Sequence, residues 1–166
     1  MANFLLVHGA WHGAWCWRDV LPALVRAGHR AHLLHAGTAL QTHVTDVRQA
    51  IETEELHDVV LVGHSYAGML VTAIANQMPG RLAHLVHLDA VVPKPGESWS
   101  STHGPATRKA RLDAARASPL IGFPPPDPAV FGLGGDDHAW VLRRPTPHPG
   151  HTCEEAVDVD ILAACV

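Results

Sequence analysis

The residues from Asp58 to Gly68 constrain the fold of this 166-residue chain more than any other segment. The apolar run Val59 to Val62 predicts a buried strand, and the apolar residues that follow predict a helix from Gly68 to Gln77. Only a sharp turn around Ser65 fits between them. Similar alternation of strands and helices continues along the first half of the chain, without repeats, and favours an α/β fold with a mostly parallel sheet.

Ser65 is the candidate nucleophile of this turn. A sharp strand-to-helix turn strains the backbone and pushes the serine hydroxyl out over the sheet edge, which requires small residues two positions before and after it. Gly63 and Ala67 occupy those positions. Ala67 replaces the usual second glycine of G-x-S-x-G, but Gly68 follows, so the turn stays sterically plausible. The alternative is an ordinary exposed serine in a surface turn.

A second segment begins as a strand at Phe4 and breaks at His8-Gly9. Acyl transfer places negative charge on a carbonyl oxygen, and two fixed N–H donors stabilise it, one after the nucleophile and one after an early strand. We therefore predict an oxyanion hole made by the backbone amides of Ala10 and Tyr66. Three tryptophans follow, and burial in the core is the favoured interpretation for them: Trp11, Trp15 and Trp17.

The run from His8 to Trp15, His-Gly-Ala-Trp-His-Gly-Ala-Trp, together with Gly63-His64-Ser65-Tyr66, resembles the α/β-hydrolase superfamily. Within it, the chain is similar to small bacterial esterase-like hydrolases related to plant methyl esterases and hydroxynitrile lyases. The resemblance extends to about residue 145. It implies a parallel sheet with flanking helices and serine-type hydrolysis of small carboxylic esters. It also implies a catalytic acid and histidine on loops after the last strands, and this chain has no recognisable match for either.

The resemblance divides one domain into three segments: a hydrolase core at 1–92, a lid-like Pro/Gly-rich segment at 93–150 and an atypical tail at 151–166. The sheet is expected to be incomplete on its C-terminal side, because two strand-helix units of the family are absent and the chain looks truncated. The stretch before Gly37 is about a dozen residues short, so a further strand is expected to be missing. Within the lid-like segment a helix is predicted near 105–117. Four aromatic residues there are candidates to shape a pocket, although ordinary packing is favoured: Trp99, Phe123, Phe131 and Trp140.

The tail leaves two questions open. Thr152 with Glu155 fits a capping box that opens a last helix, whereas Val157, Val159 and Ile161 alternate as in a strand. His151 is followed by acidic residues and is a candidate replacement for the missing base, with His138 as a second candidate. For both histidines a solvated loop position is the favoured alternative.

Charge and composition exclude several classes of function. A net charge of −4, a pI near 6.4 and no basic run argue against a nucleic-acid partner. No apolar stretch approaches the roughly 18 residues that span a bilayer, and no charged leader precedes the first strand, so we expect no membrane association and a cytoplasmic location. Three cysteines predict reduced thiols. No cofactor or metal is expected, because the triplet-spaced histidines His29, His32 and His35 fit solvated positions better than a zinc site.

Three hypotheses follow. The first is a serine hydrolase of small-molecule esters, impaired by the missing acid and histidine. The second is a catalytically silent derivative that binds a ligand or partner, and the third, least favoured, is a lyase on the same scaffold. Missing strands would also expose apolar sheet edges, so we expect a homo-oligomer or aggregation through those edges unless the tail caps the sheet.

Overall fold

The computed structural model describes residues 1–34, 39–117 and 122–159. The four strands are β1 (Asn3–Val7), β2 (Arg30–Leu33), β3 (Val59–His64) and β4 (Leu82–Leu88). The α-helices are α1 (Val20–Arg26), α2 (Leu40–Thr53), α3 (Ala67–Gln77), α4 (Pro105–Ala117) and α5 (Gly135–Leu142). Short 3-10 helices lie at Ala14–Trp17, Pro79–Arg81, Ser100–Thr102, Pro128–Phe131 and Gly150–Cys153.

The four strands form one parallel sheet in the order β2-β1-β3-β4. Leu5 of β1 pairs with Leu61 of β3, which pairs with Leu85 of β4. All strands point the same way, so their carboxyl ends, including the turn at Ser65, lie along one edge of the sheet. The predicted α/β-hydrolase-like parallel sheet with flanking helices is confirmed.

One expectation about the sheet is wrong. The short stretch after α1 was expected to lack a strand, but Arg30–Leu33 form β2, in register with β1 from Asn3↔Arg30 to Leu6↔Leu33. Four residues suffice because β2 is an edge strand with a single neighbour, so a short ladder completes the pairing. The short stretch after α1 therefore still supplies the edge strand on this side of the sheet.

The two faces of the sheet carry separate apolar clusters. On one face Leu5 and Leu61 pack with α2 and α3, and every residue from Ala67 to Ala75 is buried. On the other face Leu6 and Val62 pack with Trp17 and Leu24. This alternation along each strand is what a sheet covered on both faces requires.

The edge strand β4 is covered less well. His84, Val86 and Leu88 are exposed, on the face that Val62 shares with α1. Within the described part of the chain no further strand pairs with the outer side of β4. The sheet is thus open where the sequence predicts it to be incomplete.

The lid-like segment contains the predicted helix, which is α4. It also contains α5, which the sequence analysis did not anticipate, because Gly134-Gly135 and the surrounding prolines obscure the start of an eight-residue helix. Gly134 is its N-cap, and Asp136 and Asp137 occupy its first turn, where acidic side chains are favourable.

After the last 3-10 helix, residues 155–159 of the tail pack as an extended segment, in agreement with the alternation of Val157 and Val159. Val157 and Val159 are buried, and the N–H of Val157 donates to the carbonyl of Glu97. The alternative of a capping box is wrong, because both side chains have other partners: the hydroxyl of Thr152 donates to the carbonyl of Pro149, and Glu155 accepts from the N–H of Leu40. Ile161 lies outside the described residues.

Candidate active site

Ser65 stands between the end of β3 and the start of α3, with a φ of 55°. A side-chain-bearing residue at such an angle carries strain of order 1–3 kcal/mol that its surroundings must hold in place. The carbonyl of Ser65 accepts hydrogen bonds from the N–H groups of Gly68 and Val91, both at 3.1 Å. The turn after β3 and the loop after β4 therefore fix this backbone together.

Three glycines pack so closely around the turn that a methyl group would not fit. A Cβ on Gly9 would lie 2.9 Å from the Cβ of Ser65, and one on Gly63 would lie 2.7 Å from Cγ2 of Val71. At Gly68 the clash would be severe, with the carbonyl oxygen of Val91 only 1.8 Å away. By contrast, Ala67 is fully buried yet keeps its methyl group. The close contact therefore falls on Gly68, which explains why the turn accepts alanine at position 67.

The loop after β1 lies beside Ser65, as the packing of Gly9 shows. Ala10 and Ser65 line the same cavity. The N–H groups of Ala10 and Tyr66 donate no backbone hydrogen bond among the turns and loops of the described residues. The carbonyl of Trp11 accepts from the N–H of Thr146 at 3.0 Å, which ties this loop to the lid-like segment. Ala10 thus lies on the same cavity as Ser65, and neither amide is used in a turn or loop bond of the described backbone.

A cavity of about 1420 Å³ opens over Ser65 between the sheet edge and the lid-like segment. Its walls combine proline, charged and aromatic residues, and the large aromatic ones are Trp11, Trp15, Trp99, Phe131 and Trp140. Three of the four aromatic candidates of the lid-like segment thus line it, and the fourth, Phe123, is buried beside Trp99.

The expectation that the three early tryptophans fill the core is correct for Trp17, which is buried. Trp11 is half-buried and packs against the main apolar cluster while it also lines the cavity, whereas Trp15 lines the cavity outside that cluster. Trp11 has a φ of 64° in the loop after β1. Its indole N–H donates to the carbonyl of Phe123 at 3.2 Å.

Three histidines line the cavity, namely His12, His64 and His103. Burial lowers the pKa of His64, and His12 lowers it further, while Asp89 acts in the opposite direction. His12 donates from Nδ1 to the carbonyl of Ala10 at 2.6 Å, so its Nε2 carries the lone pair when the ring is neutral. Burial, followed by the charge of Arg111, lowers the pKa of His103.

The structure does not bring the predicted replacement bases to the serine. His151 is exposed on the last 3-10 helix, and His138 lies on α5 with its Nε2 2.7 Å from Asp127. Neither is among the described residues that line the cavity. Within the described residues, Ser65 Oγ has no hydrogen bond to any histidine.

A buried polar cluster around Tyr66 was missed by the sequence analysis. The Tyr66 hydroxyl lies 3.0 Å from Nδ1 of His43, and its ring centroid is 4.6 Å from that of His148. The hydroxyl of Thr152 already donates to a carbonyl, so His148 Nε2–H is the donor in the 2.9 Å contact between them. Burial, then His43, lowers the pKa of His148 to about 3. The signal that could have found this cluster is His43 itself, on the apolar face of α2.

Metal ligation and membrane crossing can both be judged from the described residues. Among the residues that the structure describes, no group of three potential metal ligands comes together. Among the helices of residues 1–34, 39–117 and 122–159, none has both the length and the apolar character of a membrane-crossing segment.

Comparison with known proteins identifies relatives along almost the whole chain. The model of the "Alpha/beta hydrolase family" matches residues 4–164. The chain is 41% identical over 174 residues to a "Carbendazim hydrolyzing esterase" of Nocardioides sp. (strain SG-4G), covering 93% of this chain and 72% of the relative. It is 32% identical over 140 residues to "Methylesterase 3" of Arabidopsis thaliana, covering 74% and 53%.

Solved structures show the same fold. An extracellular alpha/beta-hydrolase from a Paenibacillus species superimposes with a TM-score of 0.85 at 22% identity, over 96% of this chain and 72% of that one. A methylesterase of Arabidopsis superimposes with a TM-score of 0.74 at 20% identity, over 98% and 74%. This chain is therefore shorter than its relatives, and the named esterases among them support carboxylic-ester hydrolysis as its class of activity. The chain belongs to the alpha/beta hydrolase family.

Proposed function

We propose that the protein is a serine esterase for small carboxylic esters, with Ser65 as nucleophile. The observation that carries the proposal is the strained φ of 55° at Ser65, at a strand-to-helix turn that faces a cavity large enough for a small molecule. Strain of this kind persists where the surroundings hold a side chain in a functional position. The amides of Ala10 and Tyr66 would stabilise the oxyanion.

The reaction would proceed in two steps. Ser65 Oγ attacks the ester carbonyl carbon, the carbonyl oxygen becomes an oxyanion bound by the two amides, and the alcohol leaves to give an acyl-enzyme. Water then attacks the same carbon and releases the acid. Both steps need a base that removes a proton from the attacking oxygen and returns it to the leaving oxygen.

A histidine of the cavity wall is the proposed proton carrier. Burial favours the neutral form of His64, which is the form that can accept a proton, and His12 has its Nε2 free of the bond to Ala10. His151, a candidate base from the sequence, is exposed and is not among the described residues that line the cavity. A histidine scan therefore compares His12 and His64 with His151 as the exposed control.

The wall of tryptophans favours esters with flat or apolar groups, since aromatic faces bury such groups effectively. The Nocardioides relative is named as an esterase that hydrolyses carbendazim. By analogy, small-molecule esters of aromatic compounds are the first substrates to test.

A catalytically silent, ligand-binding protein is the second candidate. It is favoured by one observation: in the described part of the chain, no histidine is hydrogen-bonded to Ser65. Enzymes without their triad base keep roughly 10³–10⁴-fold catalysis over water through the oxyanion hole and binding. The two candidates therefore differ in the reactivity of Ser65 and not in the presence of the cavity.

Labelling with a fluorophosphonate probe, followed by mass spectrometry, distinguishes them. We expect modification of Ser65 in the natural chain, its loss in Ser65→Ala and its retention in the control Ser101→Ala. Folded protein that resists labelling would refute the esterase and leave the binding protein. In that case the next measurement would be the binding of an aromatic ligand by Ser65→Ala and by Ser101→Ala.

A further inference from the structure

Arg111 contributes a cation to the cavity wall from α4, on the lid-like side. Its guanidinium carbon lies 4.2 Å from the ring centroid of Trp99, which is itself buried and packs against Tyr66 at 5.1 Å between centroids. Stacking of a guanidinium on an indole face is favourable and limits the positions that the side chain can adopt. Arg111 is therefore held over a fixed aromatic platform, next to the residue that follows Ser65.

One nitrogen of this guanidinium has no partner in the protein. Nη1 of Arg111 is shut off from solvent and forms no hydrogen bond. The charge of Arg111 acts on Cys153, His103 and His148. Burial raises the pKa of the Cys153 thiol to about 11, so the thiol is uncharged at neutral pH. Among the described residues, no carboxylate forms an ion pair with Arg111.

Other arginines in the described part of the chain are accommodated differently. Arg18, which also lines the cavity, pairs with Asp19 and Asp137, and Arg116 pairs with Glu154. Arg108, one turn before Arg111, is exposed to water. A buried, unpaired charge is costly, and proteins normally compensate it with a partner. Arg111 is half-buried in the cavity wall, and among the described residues its guanidinium has the stacking on Trp99 but no carboxylate partner.

We propose that Arg111 forms an anion subsite in this cavity and binds a carboxylate carried by the ester or by its acid product. The inference rests on the proposed esterase function and specifies its substrate class: half-esters of dicarboxylic acids and related esters that bear a free carboxylate. Such a carboxylate would supply the counter-charge that the described residues do not, with the rest of the molecule lying along the tryptophans of the cavity wall.

The test uses a matched pair of esters, monomethyl glutarate and dimethyl glutarate, and the variant Arg111→Met, which keeps an unbranched stem against Trp99. The readout is the ratio of kcat/KM for the charged ester to that for the neutral ester. Hydrogen bonds to charged groups are strong enough to predict a fall in this ratio of roughly 10- to 100-fold in Arg111→Met. Arg111→Lys should restore part of it, and Arg108→Met, on the exposed side of the same helix, should leave it unchanged.

Binding is measured separately, so that failure of hydrolysis does not decide the question. Calorimetry of glutarate with the Ser65→Ala protein should show binding that Arg111→Met abolishes in the same background. An unchanged ester ratio, or equal glutarate binding with and without Arg111, overturns the subsite even if dimethyl glutarate is hydrolysed. If neither ester is hydrolysed but glutarate still binds through Arg111, the proposed esterase fails and the subsite stands.

Discussion

Gly9 packs directly against Ser65, with only 2.9 Å between the Cβ of Ser65 and the position that a Cβ on Gly9 would take. The same methyl group would lie 3.0 Å from Nδ1 of His64. The His-Gly pair after β1 therefore fixes the position of the serine as well as ending a strand.

Replacement of Gly9 by alanine should displace Ser65 by a few tenths of an ångström. Because misplacement of reacting groups is costly, we expect the rate of fluorophosphonate labelling to fall by roughly 10- to 100-fold. Overpacking should also lower the free energy of unfolding by about 1–3 kcal/mol. Gly80→Ala is the control, since nothing lies within 4 Å of a Cβ at Gly80. Equal labelling rates for both variants would show that the contact with Gly9 does not position Ser65.

The turn should tolerate a change at position 67 better than a change at position 68. Gly68→Ala forces a methyl group onto the carbonyl of Val91 and should cost at least about 1–3 kcal/mol of stability, because backbone must move. Ala67→Gly adds no clash and should cost about 0.5–1 kcal/mol through backbone entropy. Urea unfolding of both variants measures the difference. A Gly68→Ala protein as stable as Ala67→Gly would mean that the loop after β4 can move away from the added methyl group without a cost in stability.

The parallel sheet, the helices other than α5 and the position of Ser65 were predictable because each rests on local pattern: apolar runs, a glycine after α1 and small residues around the serine. Pairing of β2 was not, since four residues carry too little periodicity to distinguish a strand from a loop. The polar cluster of Tyr66, His43 and His148 joins residues far apart in sequence, and the spacing of residues along a chain does not predict such contacts. The unpaired state of Arg111 likewise depends on which side chains surround it in three dimensions.

His148 should make the protein less stable in acid. Its pKa is about 3 in the folded protein, against 6.5 as the ordinary value, so between these pH values the unfolded chain binds a proton that the folded chain does not. The contribution of neutral His148 is therefore complete above pH 6.5 and is lost as the pH falls toward 3, by about 1.4 kcal/mol per pH unit. His64, His87 and His103, whose pKa values are also lowered by burial, act in the same direction.

Urea unfolding at pH 7 and pH 5 checks this expectation. His148→Gln should unfold with a smaller difference between the two pH values than the natural chain. His151→Gln, at an exposed site, should leave the difference as it is. Identical pH dependence in all three proteins would show that His148 is not buried in its neutral form.

The exposed strand β4 should mediate self-association. It presents an unpaired edge in the described structure, and Val86 and Leu88 are 37% and 47% exposed on it. Unprotected edges with apolar side chains pair readily with another chain. Light scattering should give the mass of a dimer or larger assembly, and Val86→Lys should shift it toward the monomer. Val130→Lys, at an exposed valine of the lid-like segment, is the control, and a natural chain that is monomeric at high concentration would contradict this expectation.

The tail should contribute to stability through Val157, which is 4% exposed and belongs to the main apolar cluster. Its backbone is also bonded on both sides, donating to Glu97 and accepting from Gly96. Val157→Ala keeps these backbone bonds and removes two buried carbon atoms, so we expect a loss of about 1–2 kcal/mol in the free energy of unfolding. Val130→Ala, at a site 68% exposed, should change it by less than about 0.5 kcal/mol. If the two variants were equally stable, the tail would not be packed on the core, and the cluster that joins Thr152 and His148 to Tyr66 would lose its support.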